Sequence, residues 1–337
     1  LNSISLVLLK IKKLMNYISR LILFFAFVFS FKNYSQETLP IYQDYLSDNI
    51  YLVHPAAAGI GNSGKVRFTA RQLWAGIPDA PALQTLSFHT RLGYKNGIGG
   101  VLFNDKNGYH SQQGLQLTYA YHIELGRIDD VNQLSFGLSF MMIQNSVDES
   151  SFVIPDPVIS QIVQSRNYFN TDFGMAYHNQ GFSSYFTVKN LLLTARDLYD
   201  DTYEPLNLRR YLLTLGYYFG QDSSIQWEPS VMGQLIERTG EKFVDFNVKA
   251  YKTLDNAQIW AGLSYRQGFD GNTVEELRYL SPIVGVNFKK FMVSYTYTKQ
   301  TGDLLFDDAG YHQISLGFNL LCKPQRAAGC PNINASF

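Results

Sequence analysis

Charge is scarce in this sequence and is balanced between the two signs. Charged residues make up 17% of the chain, with 28 basic and 28 acidic side chains, whereas soluble domains usually contain about 25%. A chain without net positive charge has no field that would attract nucleic acid, so no nucleic-acid partner is expected. Aromatic residues are abundant instead, at 15% of the chain.

Long hydrophobic runs are also absent after residue 31. None approaches the roughly 20 apolar residues of a membrane helix, so a membrane-spanning chain of this kind would have to cross as a β-barrel. Clusters of Cys and His at metal-binding spacing are missing, and no phosphate-binding loop follows a strand-like segment. The sequence therefore predicts no cofactor and no metal.

Residues 15–35 carry the features of a secretory signal peptide. A short basic region precedes an apolar run at 21–31, and Ser35 offers a small residue for cleavage. We therefore expect the mature chain to begin at Gln36, and we interpret residues 1–14 as an extension upstream of the true start. The alternative, a membrane anchor formed by the apolar run, has too few residues to span a bilayer.

Alternating polarity begins in the mature chain at residue 65. The segments 65–74 and 86–92 alternate apolar with polar residues, which is the period-2 pattern of strands with one apolar face. The segment 76–81 between them contains two prolines and indicates a turn or loop, because proline cannot donate to a strand ladder.

Segments of the same kind continue to the end of the chain. They lie at 97–105, 113–125, 133–144, 168–178, 182–190, 209–219, 225–237, 242–253, 258–266, 279–288, 291–299 and 311–321. We predict an all-β fold, a transmembrane antiparallel β-barrel of about 14 strands over residues 63–321, preceded by an irregular periplasmic N-terminal arm at 36–62. Alternation alone does not separate it from a soluble barrel.

The lengths of the connections make that distinction. Connections after even-numbered strands are mostly tight turns, such as 94–96 and 179–181, whereas those after odd-numbered strands are mostly long, such as 145–167 and 191–208. Short periplasmic turns and long extracellular loops are typical of outer-membrane barrels. The sequence therefore predicts the cell outer membrane, and its lipid, as the protein's environment.

Two smaller expectations follow from a closed barrel. Pro229 and Pro282 fall inside predicted strands, so each should mark a bulge or a later strand start. Aromatic side chains near strand ends should form interfacial girdles. The candidates for these girdles are Trp74, Tyr121, Tyr217 and Tyr218.

The C-terminal tail, residues 322–337, follows the last strand and would lie in the periplasm. It contains both cysteines of the chain, Cys322 and Cys330, which in an exported protein could close a small disulfide loop or remain independent thiols. We expect this tail to contact a periplasmic protein.

Short motifs distributed over almost the whole mature chain resemble those of the PorP/SprF family of type IX secretion outer-membrane proteins. The family-motif positions in the arm are His54, Pro55 and Gly59, and those of the first hairpin are Arg71, Gln72, Trp74, Gly76 and Pro81. Further matching segments are 42–46, 85–89, 104–108, 118–122, 134–138, 155–157 and 262–266. The chain departs from the family pattern at His54 and Ala57, where Asn and Tyr are usual, and at Leu73, where Gln is usual.

The resemblance implies a non-enzymatic outer-membrane barrel that works with the type IX system. It would help to export a large surface protein, such as a gliding adhesin, or anchor it through its C-terminal sorting domain, together with other type IX and gliding components. The SprF-like branch is favoured over the rest of the family. The alternative function is a passive, porin-like diffusion channel, since neither an open nor a plugged lumen follows from the sequence.

Charged side chains on the polar face fit two interpretations. They could form a selectivity lining, but a ladder of cross-strand ion pairs that fills the barrel explains them without transport and is favoured. They are Arg67, Arg71, His89, Arg91, Glu228, Asp245, Lys249 and Arg266.

The predicted outer loops are acidic, which is consistent with a partner surface or Ca²⁺ sites, but solvated loop tips explain the charge without a ligand and are favoured. Catalysis has little support. Ser87 and His89 share a face of one strand, but no acidic residue is placed to orient the imidazole.

Overall fold

The computed structural model describes residues 43–61, 63–73, 80–125, 132–148, 150, 163–193, 207–220, 224–269, 278–301 and 310–321. All of them belong to one compact unit, Glu37–Phe337. Within these ranges, no helix has the length and hydropathy to cross a bilayer.

Three short 3-10 helices precede the strands, at Gln43–Leu46, Ile50–Leu52 and Pro55–Ala57. The strands are β1 (Gly64–Leu73), β2 (Ala82–Leu92), β3 (Asn96–Asn107), β4 (His110–Glu124), β5 (Asn132–Asp148), β6 (Val163–Asn179), β7 (Phe182–Lys189), β8 (Arg210–Tyr217), β9 (Gln226–Ile236), β10 (Lys242–Thr253), β11 (Ala257–Phe269), β12 (Arg278–Phe288), β13 (Phe291–Thr301) and β14 (Tyr311–Leu320).

The strands form one closed barrel in chain order. Each pairs antiparallel with the next, and β1 closes the ring on β14 in a register that runs from Gly64 opposite Leu320 to Leu73 opposite Tyr311. Closure leaves no edge strand, as a sheet in lipid requires. The prediction of an antiparallel barrel with 14 strands is confirmed.

Polar side chains point inward and apolar ones outward. On β1 the side chains of Lys65 and Arg67 are buried, while Phe68 is 39% exposed. On β5, Ser139 is buried between Leu138 and Phe140, which are 55% and 49% exposed. A soluble barrel would show the opposite arrangement, so the exterior of this barrel faces lipid.

The pattern reverses along β5 and thereby locates one edge of the bilayer. Outward residues are apolar as far as Met142, and the next outward residue is the exposed Gln144. Near the same level the interior contains an apolar cluster, in which Met141 and Ile143 pack with Tyr168, next to the buried Asn145. Polar-outside, apolar-inside packing is that of a protein in water, so β5 leaves the hydrocarbon between Met142 and Gln144.

The connections divide into a turn rim and a loop rim. Residues 93–95 and 289–290 are tight connections on one rim, and 190–209 and 302–310 are long ones on the other. The loop rim also contains a tight connection, because β3 and β4 continue to a two-residue turn at 108–109. In outer-membrane barrels the short turns face the periplasm, which places the turn rim there and the loop rim at the cell surface.

Neither proline produces the expected bulge. Pro282 pairs with Leu263 of β11, and on its other side the β12–β13 ladder is interrupted and resumes in the same register. Pro229 pairs with Val248 of β10, and it lies just beyond the end of the β8–β9 ladder. Each proline therefore lies where one of its two neighbouring ladders is interrupted, so the hydrogen bond that proline cannot donate is not required there. The ladder on its other side stays continuous, and no bulge with an inserted residue is needed.

The position of the bilayer edge predicts different costs for the same substitution on β5. Leu138→Arg places a cation on the lipid face within the hydrocarbon and should destabilise the barrel by about 2–4 kcal/mol, whereas Gln144→Arg at the boundary should cost about 0–1 kcal/mol. The measurement is the free energy of unfolding of each variant from phospholipid vesicles. Equal costs at the two positions would contradict the assigned boundary.

Candidate functional site inside the barrel

Residues 43–61, called the arm below, lie inside the barrel. The sequence places this segment in the periplasm, but its side chains and backbone bond to inward-facing groups on opposite parts of the wall. Wall partners of the arm are Lys65, Arg67, Ser87, His89, Thr118, His122, Thr187, Lys189, Thr214, Asp245, Asn247 and Gln313. A segment that contacts β1, β2, β4, β7, β8, β10 and β14 of a closed barrel occupies its lumen.

Small residues on both sides allow the arm to approach the wall. Ala56, Ala57 and Ala58 are at most 1% exposed. Opposite them, a Cβ added at Gly97 would collide with the Ala58 carbonyl, and one at Gly137 would collide with the backbone at Pro55 and Ala56. An inward glycine within a strand therefore provides the space for the backbone of the arm.

A carboxylate near the start of the arm neutralises two buried cations. Asp48 accepts hydrogen bonds from Lys65 Nζ at 3.3 Å and from Arg67 Nη2 at 2.9 Å. The Lys65 and Arg67 side chains are only 5% and 1% exposed. Burial raises the pKa of Asp48, but the adjacent Lys65 and Arg67 lower it further than burial raises it, so its pKa lies below the ordinary value. This ion triad fixes the arm to β1.

His54 forms the second anchor, on the opposite side. Its Nδ1 lies 2.8 Å from Thr187 Oγ1 and its Nε2 lies 2.8 Å from Thr214 Oγ1, so one ring nitrogen donates and the other accepts. The ring stacks on Tyr185 at 5.0 Å and is fully buried. Burial lowers the pKa of His54 to about 3, with Lys189 adding to the effect, so the imidazole is neutral.

Two further histidines, on the wall, hold the end of the arm. The Gly59 N–H donates to His89 Nδ1 at 3.1 Å, and His122 Nε2 donates to the Ala58 carbonyl at 3.0 Å. Gly59 has φ +75°, and a Cβ there would lie 2.8 Å from the Gly97 Cα. Only glycine satisfies both the left-handed backbone and the close approach at this position.

Several charges of the lumen pair with one another or with the arm, whereas Arg91 donates to the Gln133 side chain at 3.0 Å. Arg266 bonds to Asp245 at 2.6 Å across β10 and β11, and Lys249 lies 3.8 Å from Glu228 across β9 and β10. Asp245 also accepts a hydrogen bond from Tyr45 of the arm at 2.8 Å. These contacts support the ion-pair ladder over a selectivity lining.

The residues weighed for catalysis serve the arm instead. Ser87 Oγ accepts a hydrogen bond from Asn49 at 3.0 Å, and His89 accepts one from Gly59. Both side chains are thereby engaged in positioning the arm within a polar interior.

A comparison with protein families shows to which family the chain belongs. The model of the type IX secretion system membrane protein PorP/SprF matches residues 34–318, which include the arm and nearly the whole barrel. The chain belongs to the PorP/SprF family. The match places the protein in the outer membrane, in agreement with the lipid-facing exterior of the barrel.

The remaining comparisons, with curated proteins and with solved structures, inform only about the fold of this PorP/SprF barrel. No curated protein matches the chain. Among solved structures it is similar to a Pseudomonas aeruginosa FadL homologue, with 10% identity, a TM-score of 0.48 and coverage of 80% of this chain and 94% of that one. For the TodX monoaromatic hydrocarbon channel the identity is 9%, the TM-score 0.48 and the coverage 82% and 94%. For Haemophilus ducreyi BamA lacking POTRA domains 1–3 the identity is 9%, the TM-score is 0.43, and the match covers 77% of this chain and 70% of that one. These low similarities carry no functional argument.

The PorP/SprF motif positions occupy two separate places. His54, Pro55 and Gly59 lie together in the arm, whereas Arg71, Gln72 and Pro81 of the first hairpin lie at the loop rim. There Arg71 points inward with its guanidinium 4.9 Å from the centre of the Tyr311 ring, and Gln72 is exposed. Buried Pro81 accepts a hydrogen bond from the Leu73 N–H at 2.9 Å.

Several predicted positions lie outside the described residues. They are Trp74, Gly76, Cys322, Cys330 and most of the acidic loop residues. Among residues that the structure does describe, no group of three or more His, Cys, Asp or Glu side chains is arranged to hold a metal ion. Of the girdle candidates, Tyr217 is 54% exposed, but Tyr218 was wrongly assigned, because it packs with Tyr251 in the interior.

Sequence reasoning missed the residues of the arm that contact the wall most directly. Tyr45, Asp48 and Tyr51 lie in a stretch without alternation, so no periodic signal marks them. A weaker signal was present in the strands: Gly97 and Gly137 occupy inward positions, and isolated strand glycines indicate close approach of another backbone.

Removing the carboxylate of the ion triad should release the arm. Asp48→Ala leaves Lys65 and Arg67 buried without their counter-charge and should cost about 3–5 kcal/mol of unfolding free energy. The control is Glu237→Ala, which breaks the exposed pair with Arg209 and should cost at most about 1 kcal/mol. Equal losses for the two variants in denaturant unfolding would contradict the role of the triad.

Because His54 is neutral in the folded protein, the free energy of unfolding should depend on pH. Because its folded pKa is lowered to about 3 while an unfolded histidine titrates near 6.5, the unfolded chain takes up the proton first as the pH falls. Stability should therefore decline below about pH 6.5, and His54→Gln should remove about 2 kcal/mol of the loss between pH 7 and pH 5. The test compares unfolding free energies of the two proteins at both pH values, and parallel pH profiles would contradict it.

Proposed function

We propose that this PorP/SprF protein is a non-enzymatic outer-membrane scaffold of the type IX secretion machinery. It helps to export a large surface protein or anchors that protein through its C-terminal sorting domain. A gliding adhesin is the favoured cargo, which corresponds to the SprF-like branch of the family. The observation that carries the proposal is a family-matched barrel whose lumen is filled by its own arm.

The filled lumen favours a scaffold over a diffusion channel. A porin requires a continuous aqueous path lined by polar side chains. Here many inward polar groups of the wall bond to the arm. Tyr51, Ala56 and His54 of the arm are at most 1% exposed. A solute would have to displace the arm and break its hydrogen bonds to both sides of the wall.

The two ends of the barrel suit different partners. The long connections at the loop rim face the cell surface and offer a docking area for an exported protein. The C-terminal tail, residues 322–337, follows β14 at the turn rim and is proposed to contact periplasmic type IX or gliding components. The interior then serves to keep the barrel rigid between these two surfaces.

Affinity purification from the native cell tests this function. The chain is tagged within the connection 302–309, extracted in mild detergent, and its associated proteins are identified. We expect stoichiometric recovery of a large surface protein that carries a type IX C-terminal domain. A variant that lacks residues 323–337 should retain this protein but lose the periplasmic components, because the two contacts lie on opposite rims.

The channel alternative makes the opposite prediction. Under it, the purified barrel would come without a cargo protein and would conduct ions in a planar bilayer with its arm intact. That combination would overturn the scaffold proposal. Unchanged export, motility and recovery of periplasmic components after deletion of the tail would overturn the proposed role of the tail alone.

A further inference from the structure

Two rows of outward-facing side chains cross the wall at the loop-rim edge of the bilayer. Strand register places the members of each row directly beside one another. The apolar row consists of Phe68, Leu86, Leu102, Leu115 and Met142, and the carboxamide row consists of Gln84, Asn104, Gln113, Gln144 and Asn167. Neighbouring members are about 5 Å apart at Cβ, as directly opposed residues of antiparallel strands are.

The two rows line one groove on the outside of β1–β5. Its volume is about 430 Å³, within the roughly 300–1,000 Å³ of small-molecule sites. All of the apolar row and the first four residues of the carboxamide row line it. Leu102 at its centre is 52% exposed and faces the lipid.

The groove straddles the boundary between hydrocarbon and headgroups. On β4, outward Leu117 and Leu115 are followed by Gln113, and on β3, outward Leu102 is followed by Asn104. The change falls at the same register level as the exit of β5 between Met142 and Gln144. The apolar row therefore lies at acyl-chain depth in the outer leaflet, and the carboxamide row lies at headgroup depth.

The carboxamides offer hydrogen bonds that the described chain does not use. All five side chains are exposed, and none forms a side-chain hydrogen bond with another described residue. The inward Gln112 of the same region, in contrast, donates to Asn145 at 2.7 Å. Each carboxamide both donates and accepts without carrying charge, which is the complement of a hydroxyl-rich sugar.

We propose that this groove binds a glycolipid of the outer leaflet, with an acyl chain along the apolar row and the sugar headgroup on the carboxamide row. The groove is continuous with the lipid-facing surface, so its occupant enters from the bilayer plane. An uncharged row discriminates against the small zwitterionic headgroup of a phospholipid, because that headgroup is recognised best by charge-assisted bonds. The site is independent of the arm and of the proposed scaffold function.

Native mass spectrometry of the purified full-length barrel tests the site. The delipidated protein is titrated with monoglucosyl diacylglycerol, an uncharged glycolipid, and, separately, with phosphatidylethanolamine. We expect the glycolipid to bind at least about tenfold more tightly, since three hydrogen bonds of ordinary strength suffice for such a ratio. The triple variant Gln84→Ala, Asn104→Ala, Gln113→Ala should lose at least about tenfold in glycolipid affinity.

Two further variants separate binding from folding. Leu102→Trp fills the groove while keeping an apolar lipid-facing side chain, so it should fold normally and bind the glycolipid weakly. Gln267→Ala removes an outward carboxamide on β11, across the barrel, and should leave binding unchanged. Equal binding of the two lipids to the wild type, or unchanged glycolipid affinity in both the triple and the Leu102→Trp variants, would overturn the proposal.

Discussion

Lipid accepts no unpaired backbone hydrogen-bonding group, and this constraint shapes both the wall and the interior of the protein. It forces β1 to pair with β14 over the full length of β1, from Gly64 to Leu73. The apolar surroundings also reverse the usual arrangement of a soluble barrel, so that apolar side chains face outward. The polar side chains that remain are thereby gathered in the lumen, where they in turn require partners because they are shielded from bulk water. The arm supplies many of those partners.

The arm and the wall are therefore interdependent. Lys65 and Arg67 would be buried cations without their counter-charge if Asp48 were absent. Thr187 and Thr214, on the adjacent strands β7 and β8, would lose their shared hydrogen-bonding partner if His54 were absent. A buried ion pair contributes less to net stability than its geometry suggests, because both charges lose their hydration. Its stronger effect is on position, since an arm shifted by one residue would leave several charges uncompensated. The arm thus has one register in the barrel.

The sequence predicts most of the wall and little of the interior for a physical reason. Strands are local: a period-2 pattern is complete within a few residues, so 14 strands and an asymmetric pair of rims can be recognised one segment at a time. The contacts of the arm are not local. Tyr45 bonds to Asp245 and Ser47 to Gln313, pairs that only the closed barrel brings together. The short 3-10 helices also lack the periodicity that would reveal a buried face. The sequence therefore predicts that the arm is irregular, but it does not predict that the arm lies inside the barrel.

Because the arm fills the lumen, the surfaces that a partner can reach lie on the outside of the barrel. An anchor for a surface protein has to resist force applied at the loop rim, and the structure shows how that rim is reinforced. β4, β5 and β6 continue beyond the bilayer edge, and there Met141, Ile143 and Tyr168 pack inside the barrel while Gln112 bonds to Asn145. Close packing transmits load because it leaves little space to yield. The connection 149–162 therefore starts from a packed base above the membrane, and a partner bound to it would act on the whole closed wall.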